Sequence, residues 1–282
     1  MRFNVAWLQE IIDFFTLMIS TDIVSFKSHL ICGMAHLAFK KNREALDQFR
    51  KCLKLKSNCV QAKFQIGVAY QRMNRHQQAI QQFDLAAQVN KHLPHLAERC
   101  AMSLIELEMW KKAADLLSEL LKQVQHEEEQ NHNNKQEPQN EDQFKHKLKS
   151  NSDDKAHIYP EDELSINELW RLYGICLTNC SNYPEGISAL YIALQSTEND
   201  PILLNGIGAC QLMLGNIDQA VEKFSQSLQL LPTYSIALYN WGLAFFHLGD
   251  YAAACDKFYW SIAMRPNMPK YHFCFSQIFL HY

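Results

Sequence analysis

The sequence predicts an all-α chain, a solenoid of antiparallel helix pairs carrying one long disordered insert. Three observations lead there. Gly and Pro number 9 and 8 in 282 residues, too few for the many tight turns of a strand-rich fold. A small residue recurs every 34 positions, at Gly33, Gly67 and Ala101 and again at Gly174, Gly208 and Gly242. The two series are offset by 73 residues, one period of 34 plus 39 more, so a segment of about that length interrupts the array. Apolar residues make up 48% and charged residues 20%, which excludes disorder along the whole chain.

The elements follow in order. Residues 1–25 are apolar (Trp7, Ile11, Ile12, Phe15, Met18), but Gln9, Glu10 and Asp13 interrupt the run and one Arg makes a poor basic flank for a signal peptide. Projected back, the period places Ile11, Phe15 and Met18 where later second helices put their core residues. The segment therefore reads as the second helix of a preceding unit. Residues 26–122 hold three units and residues 164–268 three more. In each, a second small residue follows the first by twelve positions (Ala45, Ala79, Ala113, Gly186, Ala220, Ala254). Four further on comes a large apolar one (Phe49, Phe83, Leu117, Leu190, Phe224, Phe258). Apolar spacings of three and four on both sides of the midpoint make each unit two helices. Small residues let the two backbones approach, and the Phe or Leu plugs the seam. Pro94, Pro201, Pro232 and Pro266 mark the joins, since Pro cannot continue a helix.

Between the halves, residues 123–163 are polar and charged, with Phe144 and Leu148 the only large apolar residues between Val124 and Ile158. Such a stretch buries too little to offset chain ordering, so it reads as a frayed helix end followed by a disordered loop. Its His126, His132, His146 and His157 lie among carboxylates without fixed geometry, and Lys145–Lys149 reads as a solvated charge run. Residues 269–282 read as the first helix of an incomplete seventh unit, with Ser276 at the small position. Terminal repeats normally turn a polar face outward. Phe273, Phe275, Ile278, Phe279 and Leu280 lead instead to the expectation that a partner covers this helix or that the array continues.

Leu238, Trp241, Gly242, Phe245, Ala254, Phe258, Ser261 and Pro266 in the unit from Ser235 resemble the tetratricopeptide repeat, whose pattern runs W…L-G…Y…A…F…A…P. The unit from Pro201 shows Leu204, Ile207, Gly208, Gln211, Ala220, Phe224, Ser227 and Pro232, with Gln for Tyr and Ser for Ala as departures. The unit from Asn167 begins with Trp170, Tyr173 and Gly174. The resemblance implies a right-handed superhelix whose first helices line a concave groove with positions 2, 5, 6, 9, 12 and 13 of each unit.

Chemistry finds little footing. There is no GxSxG, HExxH or GxxxxGK[ST], so the chain does not read as an enzyme, and no cofactor is expected. Gly206 and Gly208 begin like a dinucleotide fingerprint, but Gln211 replaces the third Gly and the run lies inside a helix. The nine cysteines have no CxxC or zinc-type spacing and read as free, mostly buried thiols of a reducing compartment. That favours a cytoplasmic setting, with a cytoskeletal or ciliary one as a variant. A net charge of −3 removes the electrostatic argument for nucleic acid. No run of 18 apolar residues argues for a membrane span.

Function then falls to protein partners. The subclass of the family that clamps the carboxylate tail of Hsp70/Hsp90 chaperones needs Lys, Asn, Asn, Lys and Arg at fixed groove positions. Here they are Asn205, Ala209, Asn240, Lys270 and Cys274, two matches of five, so a strong tail binder is not expected. The missing Arg would remove a bidentate carboxylate contact. In the C-terminal half the groove positions include Ile202, Met213, Tyr239, Leu243, Phe246 and Phe273 with Asn205, Asn240 and His247, an apolar and aromatic lining with an amide spine. The N-terminal half offers the more charged Gln65, Gln71, Arg72, Glu98, Arg99 and Glu106. Asn205, Tyr239, Asn240, Leu243, Phe246, Lys270 and Phe273 are the expected partner contact. The other reading has tight winding fill the groove with these same side chains. The leading function is an interaction scaffold. The alternatives are a structural subunit of a large assembly and the repeat arm of a longer enzyme or co-chaperone.

Overall fold

The computed structural model describes residues 25–90, 93, 95–134 and 164–278 except 198, together with Glu10 and Asp13, with backbone alone over 127–134. The expected N-terminal second helix, the expected loop over 135–163, and His92, Pro94, Phe279 and Leu280 lie outside the described residues. Among the described residues there are helices and turns but no strand. The helices are α1 (Phe26–Ala38), α2 (Asn42–Leu55), α3 (Val60–Arg72), α4 (His76–Ala87), α5 (Leu96–Glu106) and α6 (Trp110–Asn134). After the undescribed stretch come α7 (Ile166–Asn179), α8 (Tyr183–Ser196), α9 (Pro201–Met213), α10 (Ile217–Leu230), α11 (Ser235–His247), α12 (Tyr251–Met264) and α13 (Pro269–Ile278). The chain divides into two compact units, Met1–Leu116 and Leu117–Tyr282, the division falling within α6.

In the first unit α1 packs on α2 and α3 on α4, while α2 also meets α3 and α4 meets α5. The second unit repeats the scheme with α7–α8, α9–α10 and α11–α12, and α13 rests on α12. First helices also touch first helices, α1 with α3 and α3 with α5 in one unit, α7 with α9, α9 with α11 and α11 with α13 in the other.

The recurring glycines sit where a side chain cannot. A Cβ on Gly33 would lie 2.4 Å from the ring of Phe49, and one on Gly67 would lie 2.4 Å from Phe83. On Gly208 or Gly242 it would lie 2.7 Å from Phe224 or Phe258, and on Gly174 2.7 Å from Leu190. These are the small and large residues that the 34-residue register pairs, and all five plugs are fully buried. The turn between paired helices is equally regular. Lys40, Asn74, Glu108, Ser181, Gly215 and Gly249 all have positive φ, and they stand 34 apart within each half. Only the last two are glycines.

Two departures from the pattern have local explanations. Gln211, where the repeat has Tyr, accepts from Asn216 Nδ2 at 2.8 Å and braces the turn. Ser227, where it has Ala, is fully buried and donates to the Pro201 carbonyl at 2.7 Å. A hydroxyl is tolerated there because it finds an acceptor.

One expectation needs correction. The helix before the insert does not fray near residue 123, because α6 continues to Asn134. In α13 the apolar residues divide between a buried and an exposed face. Tyr271 and Ile278 are buried and Phe275 half-buried, while the exposed positions beside Phe273 are Lys270, His272 and Ser276. Ser276 occupies the register position that Gly208 and Gly242 use to receive their plugs, and its hydroxyl donates to the Phe273 carbonyl at 2.7 Å. His272 Nε2 lies 2.7 Å from the Pro266 carbonyl. That edge of the helix is polar because its two polar side chains are satisfied locally.

Candidate functional site

The candidate site is the row of first helices in the second unit, α9, α11 and α13. Asp200 caps α9, its Oδ1 accepting from Ile202 N at 2.7 Å, and Pro201 pre-sets the first turn. Asn205 is buried on α9 at 7% exposure. Asn240 on α11 donates from Nδ2 to Asn205 Oδ1 at 3.0 Å, so the two amides form one ladder across adjacent first helices. Their pairing leaves donor and acceptor capacity on each amide, since a carboxamide offers two N–H bonds and two lone pairs.

Tyr239 is placed differently from an exposed anchor. Its ring stacks on Tyr271 at 4.9 Å and tilts over Phe258 at 5.7 Å. Its hydroxyl lies 3.2 Å from Cys274 Sγ. Burial first, then the Cys274 contact, raises the phenol's pKa, so it stays neutral. Leu243 and Phe246 belong to the same cluster around Phe258 and Ile278, both half-buried, with the Phe246 ring 5.5 Å from Tyr251. These three side chains largely form the joint between the last pair and α13. Winding does fill this part of the face, for the reason that aromatic rings on successive first helices reach each other.

Lys270 and Phe273 remain at the surface. Lys270 is exposed, with Nζ 5.3 Å from the Tyr239 ring centre and 5.6 Å from that of Tyr271. Such cation–π contacts hold the ammonium over the aromatic step. Phe273 is 64% exposed, at the register position of Tyr239 and Asn205. Met213 at 62% and Ile202 at 42% are exposed at other groove positions of α9. The expected contact did not include these two. The signal for them was present, since both fall on the lining register, but large aromatic residues drew the choice elsewhere. No acidic residue occurs in α9, α11 or α13.

The corresponding row in the first unit is knit to itself. Arg72 Nη1 donates to the Leu37 carbonyl at 2.8 Å. Gln71 Nε2 donates to the Arg99 carbonyl at 3.2 Å and to Ser103 Oγ at 3.1 Å. Phe64 and Gln65 are buried. Its polar groups bridge first helices rather than offering a continuous charged lining.

Among the described residues no group of three or more His, Cys, Asp or Glu could hold a metal ion, and no helix is long and apolar enough to cross a membrane. Gly206 and Gly208 both lie within α9, so no phosphate-binding loop exists there.

Comparison with known proteins agrees with the geometry. Tetratricopeptide repeat models match residues 60–92 and 211–269. No curated protein matches the sequence. Solved structures share the fold at low identity. YrrB, described as a TPR protein with an unusual peptide-binding site, is 15% identical with a TM-score of 0.52, over 80% of this chain and 96% of that one. PilF of Pseudomonas aeruginosa is 12% identical with a TM-score of 0.55, over 89% and 97%. PilW, a type IV pilus biogenesis factor, is 13% identical with a TM-score of 0.58, over 88% and 97%.

Proposed function

We propose that this chain, a tetratricopeptide-repeat protein, is a non-enzymatic interaction scaffold that holds a segment of a partner protein along the first-helix face of α9, α11 and α13. The observation that carries the reading is the exposure of Ile202, Met213 and Phe273 beside the Asn205–Asn240 ladder. Three large apolar side chains at 42%, 62% and 64% exposure on one register face form a surface that gains from being covered. The amides supply main-chain hydrogen bonding that does not read sequence, and Lys270 favours a partner with a carboxylate near that point. Peptide binding by YrrB supports the reading by likeness of fold alone.

The test separates binding from folding. An Ile202→Ser/Met213→Ser/Phe273→Ser triple variant changes only exposed side chains, so helicity and melting are expected to hold. In proximity labelling against the parent chain, it is expected to lose its specific partners, each anchor contributing about 2 kcal/mol or more. Retention of every partner by the folded triple variant refutes the reading.

A second reading, a structural subunit of a larger assembly, has its own observation. Tyr259 and Trp260 on α12 are exposed at 59% and 47% and meet edge to face at 5.7 Å, on a second helix rather than a first. A Tyr259→Ser/Trp260→Ser variant that loses the partners the triple variant keeps favours it. A cytoplasmic, cytoskeletal or ciliary setting is consistent with either reading.

A further inference from the structure

We propose that Cys52 and Cys59 form a dithiol/disulfide site that staples the end of α2 to the start of α3 when oxidised by a small-molecule disulfide such as oxidised glutathione. Cys52 is fully buried near the end of α2, and Cys59, 6% exposed, is the residue that caps α3. The two belong to one buried cluster with Ala62, packed against Phe26, Leu30 and Leu53. The intervening turn is already closed, with Lys56 N donating to the Cys52 carbonyl at 2.9 Å and Cys59 N to the Lys56 carbonyl at 3.1 Å. A bridge here would link two thiols of one cluster across a turn that the main chain already closes.

Neither position calls for a thiol on packing grounds. The place of Cys52 is taken in other pairs by Ala86, Ala193, Ser227 and Ser261, all buried. The place of Cys59 is a helix N-cap. Ser165 and Asp200 accept amide hydrogen bonds at theirs, whereas Cys59 makes no such bond. Two thiols that are unneeded singly share one buried cluster. The other cysteines give no such pair in an inter-pair turn. Cys210 pairs with the Thr178 hydroxyl at 3.1 Å, and Cys274 with Tyr239. Cys176 and Cys180 lie one turn apart on or beside a single helix.

The chemistry balances without a further reagent. The Cys59 thiolate, on the side nearer water, attacks one sulfur of the small disulfide. That S–S bond breaks and the first small thiol leaves. The Cys52 thiolate then attacks the Cys59 sulfur of the mixed disulfide, forming the Cys52–Cys59 bond and releasing the second small thiol. The protein thiols lose two protons and two electrons, and the two released thiols gain them. Burial, and then the neighbouring Cys59, push Cys52 up to about 12, so it rests as the thiol and the second step quickens as pH rises.

The experiment uses the full chain with oxidised glutathione at pH 8.5, without denaturant, followed by alkylation in denaturant and peptide mapping. Alkylatable thiols are expected to fall from the nine of the free chain by two, with the bridge between Cys52 and Cys59. Melting temperature is expected to rise on oxidation and return on reduction. Cys52→Ala, which supplies the residue used by two other pairs, is expected to stop at a glutathione adduct on Cys59 and to show no reversible rise. Three outcomes overturn the proposal: both thiols staying alkylatable, a bridge forming only in denaturant, or a Cys59 adduct in the parent chain that Cys52 does not resolve.

Discussion

Gly208 and Gly186 are both helical glycines, yet they call for opposite predictions. In a helix interior, Gly→Ala ordinarily gains about 1 kcal/mol of helix propensity. At Gly186 the new methyl would lie 3.4 Å from Thr178 Oγ1, an ordinary contact, so Gly186→Ala is expected to stabilise by roughly that amount. At Gly208 it would lie 2.7 Å from Phe224 Cε1 and 3.2 Å from the Ala220 carbonyl, against a ring with no room to yield. Overpacking of this kind costs about 1–3 kcal/mol, so Gly208→Ala is expected to lower stability despite the better propensity. Urea midpoints of the two variants check both signs, and a rise for Gly208→Ala would refute the paired-helix seam. The left-handed turn residues carry a third prediction. Glu108 has φ 56 where Gly215 and Gly249 serve other pairs. Relieving a left-handed penalty of about 1–2 kcal/mol, less about 0.5–1 for the extra freedom of Gly when unfolded, makes Glu108→Gly stabilising by roughly 0.5–1 kcal/mol. Thermal melting against the parent measures it, and Asn74→Gly should gain less because Asn tolerates that conformation.

Each element begins and ends for reasons that can be removed one at a time. Asp200 closes the N-terminus of α9 with bonds to Ile202 N at 2.7 Å and Leu203 N at 3.4 Å. By contrast α3, α8, α10 and α11 start without a side-chain cap. Asp200→Ala is therefore expected to cost about 1 kcal/mol, with Asp200→Ser recovering most of it. Amide exchange at Ile202 and Leu203 would report the same loss locally, and unchanged exchange there would mean the cap is idle. Joints between first helices include polar contacts in both units, by Gln71 with Ser103, Thr178 with Cys210, and Asn240 with Asn205. The partners stand 32 to 35 residues apart, close to the 34-residue period, so each contact joins successive copies of the first helix.

At the scale of the molecule, within each unit the described helix pairs stack on the pair that follows, so stability is expected to be a sum over neighbours. Removing residues 269–282 strips Tyr271 and Ile278 from the joint, both essentially unexposed in the intact chain, and uncovers Tyr239 and Phe258. Faster amide exchange is expected in α11 and α12 of that truncation, with α1–α4 unchanged. Uniform acceleration along the chain would mean a single cooperative unit instead of a nearest-neighbour array. A truncation that melts and exchanges like the parent would show that α13 contributes nothing to the joint.

What the sequence by itself determined was periodic. The spacing of Gly33, Gly67, Gly174, Gly208 and Gly242, each sixteen residues before its Phe or Leu, identifies the helix pairs and their seams, because close packing admits only one small and one large partner per crossing. It placed Asn205 and Asn240 among the lining positions of two successive first helices, while their 3.0 Å bond to each other appears only in the packed chain. Which lining residues are open was decided only in three dimensions. Tyr239 holds the register position of Phe273, and Leu243 and Phe246 are lining positions of the same helix, yet all three pack around Phe258 and Ile278 while Phe273 is 64% exposed. A one-dimensional period assigns a side chain to a face. Whether that face is filled depends on the volume and reach of side chains on the next helices, and that is a property of the packed chain alone.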